Sequence, residues 1–362
     1  MKNRKLLFSL ILIIFAISLT PLSSTTTTTR GDLLTNFIVN CHTKEGGFSL
    51  YPDNNLPDMQ STYYAIVILK TLGKLSIFDR TKIATWINST QNIDGGFPNI
   101  ENDSSTVEST YYAVKSLKLL GFEPKNNITA WLNQCWNSDY GFSNFPNESS
   151  SILSSYFALE TLNLLNINLG QYNTSQWLIM RQNNQSEDNY GAFSSENGTY
   201  NLLTMYFALE ALNLTGSINQ INKTSAYNWI VSCQNTNSFE IDKYGSFSSS
   251  PKTLDFSVIN CYSATYSLDI LNDAMPLKLN VISWVQNCQN LLDGGFKTNT
   301  NGQSSSISST YFAIETLRNL EGLGFLSLAT STGQVFYLSI WWIILFILIG
   351  IFAAYYIKKK FY

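Results

Sequence analysis

Six segments of the chain set apolar residues at helical spacing. They read STYYAIVILKTLG (61–73), STYYAVKSLKLLG (109–121), SSYFALETLNLLN (154–166), TMYFALEALNLTG (204–216), CYSATYSLDIL (261–271) and STYFAIETLRNL (309–320). In the last, Tyr311, Ile314, Leu317 and Leu320 recur every third residue, which lays them along one helix face. Ser or Thr stands at the head of most segments and is expected to cap the first turn. Gly73, Gly121 and Gly216 close three of them. Ahead of each segment, across a polar loop, lies a shorter helical stretch built around one aromatic: Phe37, Trp86, Trp131, Trp177, Trp229 or Trp284.

Between the two stretches sits a recurring phrase: GGF at 46–48, 95–97 and 294–296, YGF at 140–142, YGAF at 190–193 and YGSF at 244–247. Its Phe residues (48, 97, 142, 193, 247 and 296) are spaced 49, 45, 51, 54 and 49 residues apart. The chain is therefore predicted to be six copies of one unit: helix, Gly-Phe loop, helix. A unit with this much apolar surface cannot bury it alone, so units must stack. An open stack needs a polar cap at each end, and neither the first nor the last unit has one. A closed ring of six hairpins needs none. Within the phrase, Gly supplies a bend that other residues resist and Phe seals the hairpin, so its expected role is structural.

The ends of the chain change the picture. Lys2, Arg4 and Lys5 precede an apolar run from Leu6 to Ile17, with small residues at Ala16 and Ser18. Residues 1–18 read as a signal peptide, the alternative being an uncleaved anchor. Residues 19–30 are a Ser/Thr-rich spacer, 31–325 the repeat body and 326–334 a linker. Residues 335–357 carry no charge and are long enough to span a bilayer. Trp341, Trp342, Tyr355 and Tyr356 lie in that run, and Lys358, Lys359 and Lys360 open a 358–362 tail. Positive residues stay on the cytoplasmic side. The expectation is a single-pass membrane protein with its body outside the cytoplasm and its C-terminus inside.

A chain 44% hydrophobic and 13% charged is not disordered, and a net charge of −3 leaves no footprint for nucleic acid. Nine Asn-x-Ser/Thr sequons permit glycosylation, but a chain so rich in Asn, Ser and Thr makes about that many by chance. Cys41, Cys135, Cys233 and Cys288 occupy similar places ahead of a Gly-Phe phrase, so each is expected to face its own unit's core as a buried thiol. A pair among Cys233, Cys261 and Cys288 is the alternative.

The aromatic helix, the Gly-Gly-Phe phrase and the Ser-Thr-Tyr-Tyr-Ala…Leu…Leu-Gly helix resemble the repeat of protein prenyltransferase β subunits and of squalene and other terpenoid cyclases. Gln91, Gly95 and Phe97 are also close to the cyclases' Gln-and-Trp motif, with Phe in place of Trp. The resemblance covers about residues 31–325. It implies an all-α (α/α)6 toroid with the Tyr-Tyr-Ala helices inside, joined here to one C-terminal transmembrane helix. It also supplies tests of chemistry. The family's zinc is held by an Asp-x-Cys pair and a His on inner helices. His42, the only His, belongs to the first outer helix; Ile259 stands two before Cys261; the sixth inner helix offers Tyr311 and Phe312. No Asp-x-Asp-Asp of the protonating cyclases and no Gly-Cys-Gly-Glu-Gln of thioester domains occurs. Neither metal nor cofactor is expected, and no catalytic residue is assigned.

Aligning the six inner helices separates scaffold from specialisation. One position is always Tyr (63, 111, 156, 206, 262 and 311), another always Ala (65, 113, 158, 208, 264 and 313), a third always Leu (69, 117, 162, 212, 268 and 317). Tyr63, Tyr111, Tyr156, Tyr206, Tyr262 and Tyr311 either form an aromatic mouth for a ligand or pack between helices. One turn on, the units diverge: Val67, Lys115, Glu160, Glu210, Tyr266 and Glu315. If this stripe faces the cavity, Lys115 neighbours Glu160, and Glu160, Glu210 and Glu315 make an acidic belt. The bland alternative is a set of partly exposed helix residues. Two functions stay open: a binding module for a peptide, glycan or lipid, and an enzyme acting on an isoprenoid, lipid or glycan through the carboxylates.

Overall fold

A computed structural model of the chain describes residues 28–185 and 188–330. Two units are distinguished: Arg30–Leu328, and the residues on either side of it. In the second unit Thr29 pairs antiparallel with Ala329, and the Thr330 N–H donates to the Thr28 carbonyl at 2.9 Å. The signal segment and the apolar run 335–357 lie outside the described residues. Among the described residues no helix is long and apolar enough to cross a membrane.

The described residues of Arg30–Leu328 form twelve α-helices. The odd ones are α1 (Arg30–Asn40), α3 (Arg80–Ser89), α5 (Thr129–Gln134), α7 (Thr174–Ile179), α9 (Lys223–Ser232) and α11 (Lys278–Asn287). The even ones are α2 (Met59–Thr71), α4 (Val107–Leu120), α6 (Ile152–Leu164), α8 (Leu202–Leu214), α10 (Val258–Leu271) and α12 (Ile307–Asn319). Each even helix packs on the even helices before and after it, and α12 packs on α2, so the six close into an inner ring. The odd helices lie outside this ring; α3, α7, α9 and α11 each pack on the inner helix that follows. A short antiparallel pair, Phe296–Lys297 with Ser305–Ser306, is the only named sheet among the described residues.

The inner helices start two or three residues earlier than the pattern suggests. Their N-caps are Asp58, Thr106, Ser151, Asn201, Ser257 and Ser306, each side chain accepting from a backbone N–H three residues on. The expected caps Ser61, Ser109, Ser154, Thr204 and Ser309 are instead the residues whose N–H is capped. The polar loop supplies the cap, and the loop's own polarity hid it.

The Gly-Phe phrase joins one unit to the next. All six Phe side chains are fully buried. The N–H of Phe48, Phe97, Phe142 and Phe296 donates to Thr62, Thr110, Ser155 and Thr310 at 2.9–3.0 Å, tying the loop to its own inner helix. The first Gly takes positive φ and lies under the next unit's outer helix. A Cβ on Gly95 would meet the Asn127 carbonyl oxygen at 2.2 Å, and one on Gly191 the Ser225 backbone at 2.3 Å. The second Gly lies under an aromatic: Gly47 beneath Trp86, Gly141 beneath Trp177. In the four units with a second Gly, the aromatic of the next outer helix covers it. Tyr140 takes the first-Gly position in unit three at φ 73.

A glutamine completes the joint. Gln91 Nε2 donates to its own Gly95 carbonyl at 2.8 Å and to the next unit's Asn126 carbonyl at 3.1 Å. Gln182 and Gln234 bridge to Asn222 and Pro276 in the same way. Gln289 bridges Gly294 and Arg30, which belong to the sixth and first units. Gly294 lies under Leu33, and Gly295 under Phe37. The closing joint therefore repeats the others, with Phe37 in the place of a Trp.

All five Cys are buried free thiols. Burial pushes the Cys41 thiol up to about 12, which removes thiolate reactivity.

Gly294→Ala is expected to destabilise the body by more than about 3 kcal/mol, because it adds backbone overlap to the φ penalty. Gly73→Ala, at positive φ but with nothing within 4 Å, is expected to lose only about 1 kcal/mol. Chemical denaturation of the two variants checks the contrast.

Candidate functional site

Parallel inner helices bring equivalent residues to one level. The six aligned tyrosines converge on the axis, each 5–8% exposed. Adjacent rings around the circle stand 5.1–6.5 Å apart between centroids, from Tyr63–Tyr111 round to Tyr63–Tyr311. The hydroxyls of Tyr206 and Tyr262 are 2.8 Å apart, and those of Tyr63 and Tyr111 3.5 Å. The next residue in five units adds a second aromatic set: Tyr64, Tyr112, Phe157, Phe207 and Phe312. Tyr64 stacks on Tyr311 at 4.1 Å. The tyrosines are thus a septum across the centre, where an open mouth was one expectation.

Cavities lie on both sides of the septum and share all six tyrosines as a wall. The smaller, about 160 Å³, is lined by residues three before each Tyr: Gln60, Glu108, Leu153, Leu203, Ile259 and Ser308. It therefore sits at the N-terminal ends of the inner helices. The larger, about 680 Å³, is lined by residues four and seven after the Tyr positions, so it sits at the C-terminal ends. Its walls include Val67, Lys115, Glu160, Glu210, Tyr266 and Glu315, the whole diverging stripe. Lys70, Asn213 and Arg318 form an exposed rim one turn further on.

Two of the three chamber glutamates have cations on the chain. Lys115 Nζ pairs with Glu160 across α4 and α6, their side chains 27% and 13% exposed. The same ammonium lies 5.7 Å from the centroid of the Tyr111 ring. Glu315 pairs with Arg318, accepts from Tyr266 Oη at 3.1 Å and from Thr71 Oγ1 at 3.4 Å. Burial raises the Glu315 carboxyl above the ordinary range, with Arg318 opposing. Glu210 differs. Burial raises its pKa first, the Tyr206 hydroxyl opposes, the neighbouring Glu160 adds to the rise, and Lys115 opposes it through space. It forms no ion pair among the described residues.

Sequence reasoning did not single out Gln60, Glu108, Lys70 or Arg318. Arg318 was within reach, three residues after Glu315 and two turns after Tyr311 on one face. Glu108 was not, since Leu, Ile and Ser fill its position in four units. It accepts from Tyr112 Oη at 3.1 Å and Gln60 Nε2 at 3.4 Å, and burial raises its pKa.

The residues do not fit a zinc site. His42 packs against Phe48 and Phe78, with centroids 5.0 and 4.8 Å away, at the place where other units carry the bridging Gln. Cys261 stands where four other units carry Thr or Ser and the fourth unit carries Met205; burial raises its thiol to about 12, with the Phe247 N–H opposing. Among the described residues no group of three or more His, Cys, Asp or Glu could hold a metal ion.

The model of the prenyltransferase alpha-alpha toroid domain matches residues 7–192, 98–253 and 252–330. The chain belongs to this family. Among solved structures it is similar to the type II terpene cyclase MstE from Scytonema (12% identity, 82% of this chain and 98% of that one, TM-score 0.56). It is also similar to a novel alpha-amylase from Clostridium perfringens (14%, 82% and 99%, TM-score 0.56) and to a protein from Actinoplanes (12%, 81% and 98%, TM-score 0.54). At such identities these likenesses show the toroid fold alone. No curated protein matches the chain.

Two outcomes are expected of this toroid. Cys261→Thr keeps an acceptor for the Phe247 N–H and leaves stability unchanged or higher, whereas Cys261→Val orphans that N–H and loses about 1–3 kcal/mol in chemical denaturation. For Glu210, a folded pKa above the unfolded one (about 4.3) means that the unfolded chain releases the proton first as pH rises. Its contribution to stability therefore falls as pH climbs from the unfolded value through the folded one. Glu210→Gln is expected to be more stable than the parent at pH 7, with the gap closing below about pH 4 in thermal melts.

Proposed function

We propose that this toroid is a binding module, held at a membrane by residues 335–357 with its body outside the cytoplasm, and that its ligand seat is the chamber at the C-terminal ends of the inner helices. The observation that carries this reading is the tyrosine septum. It divides the central space and leaves on the larger side a cavity with an aromatic floor and charged walls. Such a concave pocket, with a few convergent polar groups, is the usual form of a ligand site. The positions of His42 and Cys261, both used to hold loops, support a module without the family's zinc chemistry. An exterior body is also away from the compartment where diphosphate donors of prenyl transfer are expected. The ligand classes consistent with the walls are a peptide, a glycan or a lipid head.

An enzymatic alternative draws on one feature. Glu315 is a buried carboxyl and Glu210 a half-buried one, both with raised pKa in a substrate-sized cavity, the setting of a general acid. The substrate would then be an isoprenoid, lipid or glycan.

Native mass spectrometry of the full chain, offered a membrane-lipid extract, peptides and glycans, tests the binding reading. A retained mass that is weakened in Val67→Trp, which narrows the chamber, is expected. Zinc-dependent consumption of an isoprenoid diphosphate would replace it with the enzymatic reading. A chain truncated after residue 330 is expected to leave the membrane fraction under alkaline wash; retention there would remove the anchor from the proposal.

A further inference from the structure

Comparison of the repeats inside the chamber shows one glutamate without an ion pair among the described residues, Glu210, with Lys115 acting on it only through space. Glu160 and Glu315 each meet a cation from the chain, Lys115 and Arg318. The Lys115 ammonium is held between a carboxylate and the face of a septum tyrosine. Around the ring the same pair of groups recurs at Glu210, with the rings of Tyr156, Tyr206 and Tyr262 lining the cavity beside it. Here the equivalent ammonium is absent, because the unit before it carries Glu160 and the unit after it carries Tyr266. Six inner helices also direct their C-termini to this side of the septum, and the partial negative charge of helix C-termini favours a cation.

We infer, resting on the reading of the chamber as a ligand seat, that it takes an organic cation: a small ammonium compound whose positive head lies between Glu210 and the tyrosine floor. The ligand does at Glu210 what Lys115 does at Glu160. A desolvated ammonium over an aromatic face gains up to about 2 kcal/mol from the ring alone, and the carboxylate adds the charge pair. The cavity of about 680 Å³ admits a head group with an apolar or hydroxylated tail. The cation pairs with the ionised form of Glu210, so affinity rises with pH through its titration. The groups that face Glu210 are Tyr206 on its own helix, Glu160 and Tyr156 on α6, Lys115 on α4 and Asp269 on α10. Lys70, Tyr266, Glu315 and Arg318 complete the charged and titratable lining.

Calorimetric titration of the full chain in a non-ionic detergent, with choline and its neutral isostere 3,3-dimethyl-1-butanol, tests the inference. Choline is expected to bind at least about tenfold more tightly than the alcohol. Glu210→Gln, which is expected to be the more stable protein at pH 7, removes that preference. Choline affinity increases with pH and alcohol affinity does not. Equal binding of the two probes overturns the cation class while leaving the chamber as a seat. Choline binding that survives Glu210→Gln places the cation elsewhere and overturns the inference. Binding of neither probe overturns it too, and the reading of the chamber then rests on its own test with lipids, peptides and glycans.

Discussion

No hairpin of this chain can bury its own apolar face, and the joint that solves this is the glycine loop beneath the next unit's outer helix. The first Gly accepts a backbone carbonyl from the following unit, the second accepts an aromatic ring, and in four units a glutamine amide ties the loop to the start of that helix. Everything else depends on this contact. It sets the offset between units, it repeats six times, and at the sixth it meets Leu33, Phe37 and Arg30 of the first unit. Close approach of backbone to backbone leaves no room for a side chain, so Gly recurs at the first position in five of the six units.

Closure has a geometric consequence at the axis. Six parallel helices with Tyr at one level bring six rings to the same point, and packing between them fills the centre. The ring separates helix N-termini from helix C-termini, so the two cavities it bounds differ in electrostatic character. The repeated residues make the scaffold and the septum. The residues that vary from unit to unit, Val67, Lys115, Glu160, Glu210, Tyr266 and Glu315, line the chamber below it. A half-buried carboxyl without an ion pair, as at Glu210, lowers stability when it is charged.

Two residues look like chemistry in the sequence and serve as joints in the fold. His42 occupies the bridging-glutamine position of the first unit and packs on Phe48 and Phe78. Cys261 stands at the position where Thr62, Thr110, Ser155 and Thr310 accept the loop Phe N–H in four other units. Both roles follow from alignment of the units on the loops as well as on the helices. The loops were harder to align because their lengths differ, from 45 to 54 residues between successive Phe.

By itself the sequence determined the unit, its number, the all-α class, the need for closure and the face on which the diverging stripe lies. These follow from periodicity and repetition, which are local properties of a chain. It placed Lys115 beside Glu160 conditionally, through the order of adjacent units. Only the tertiary structure decided that the tyrosines meet as a septum, that the cavity is divided, and that Arg318 answers Glu315 while Glu210 has no ion pair among the described residues. Those facts depend on the radius of the ring and on which helix ends converge. Both are set by six packed joints acting together, and no single segment carries them.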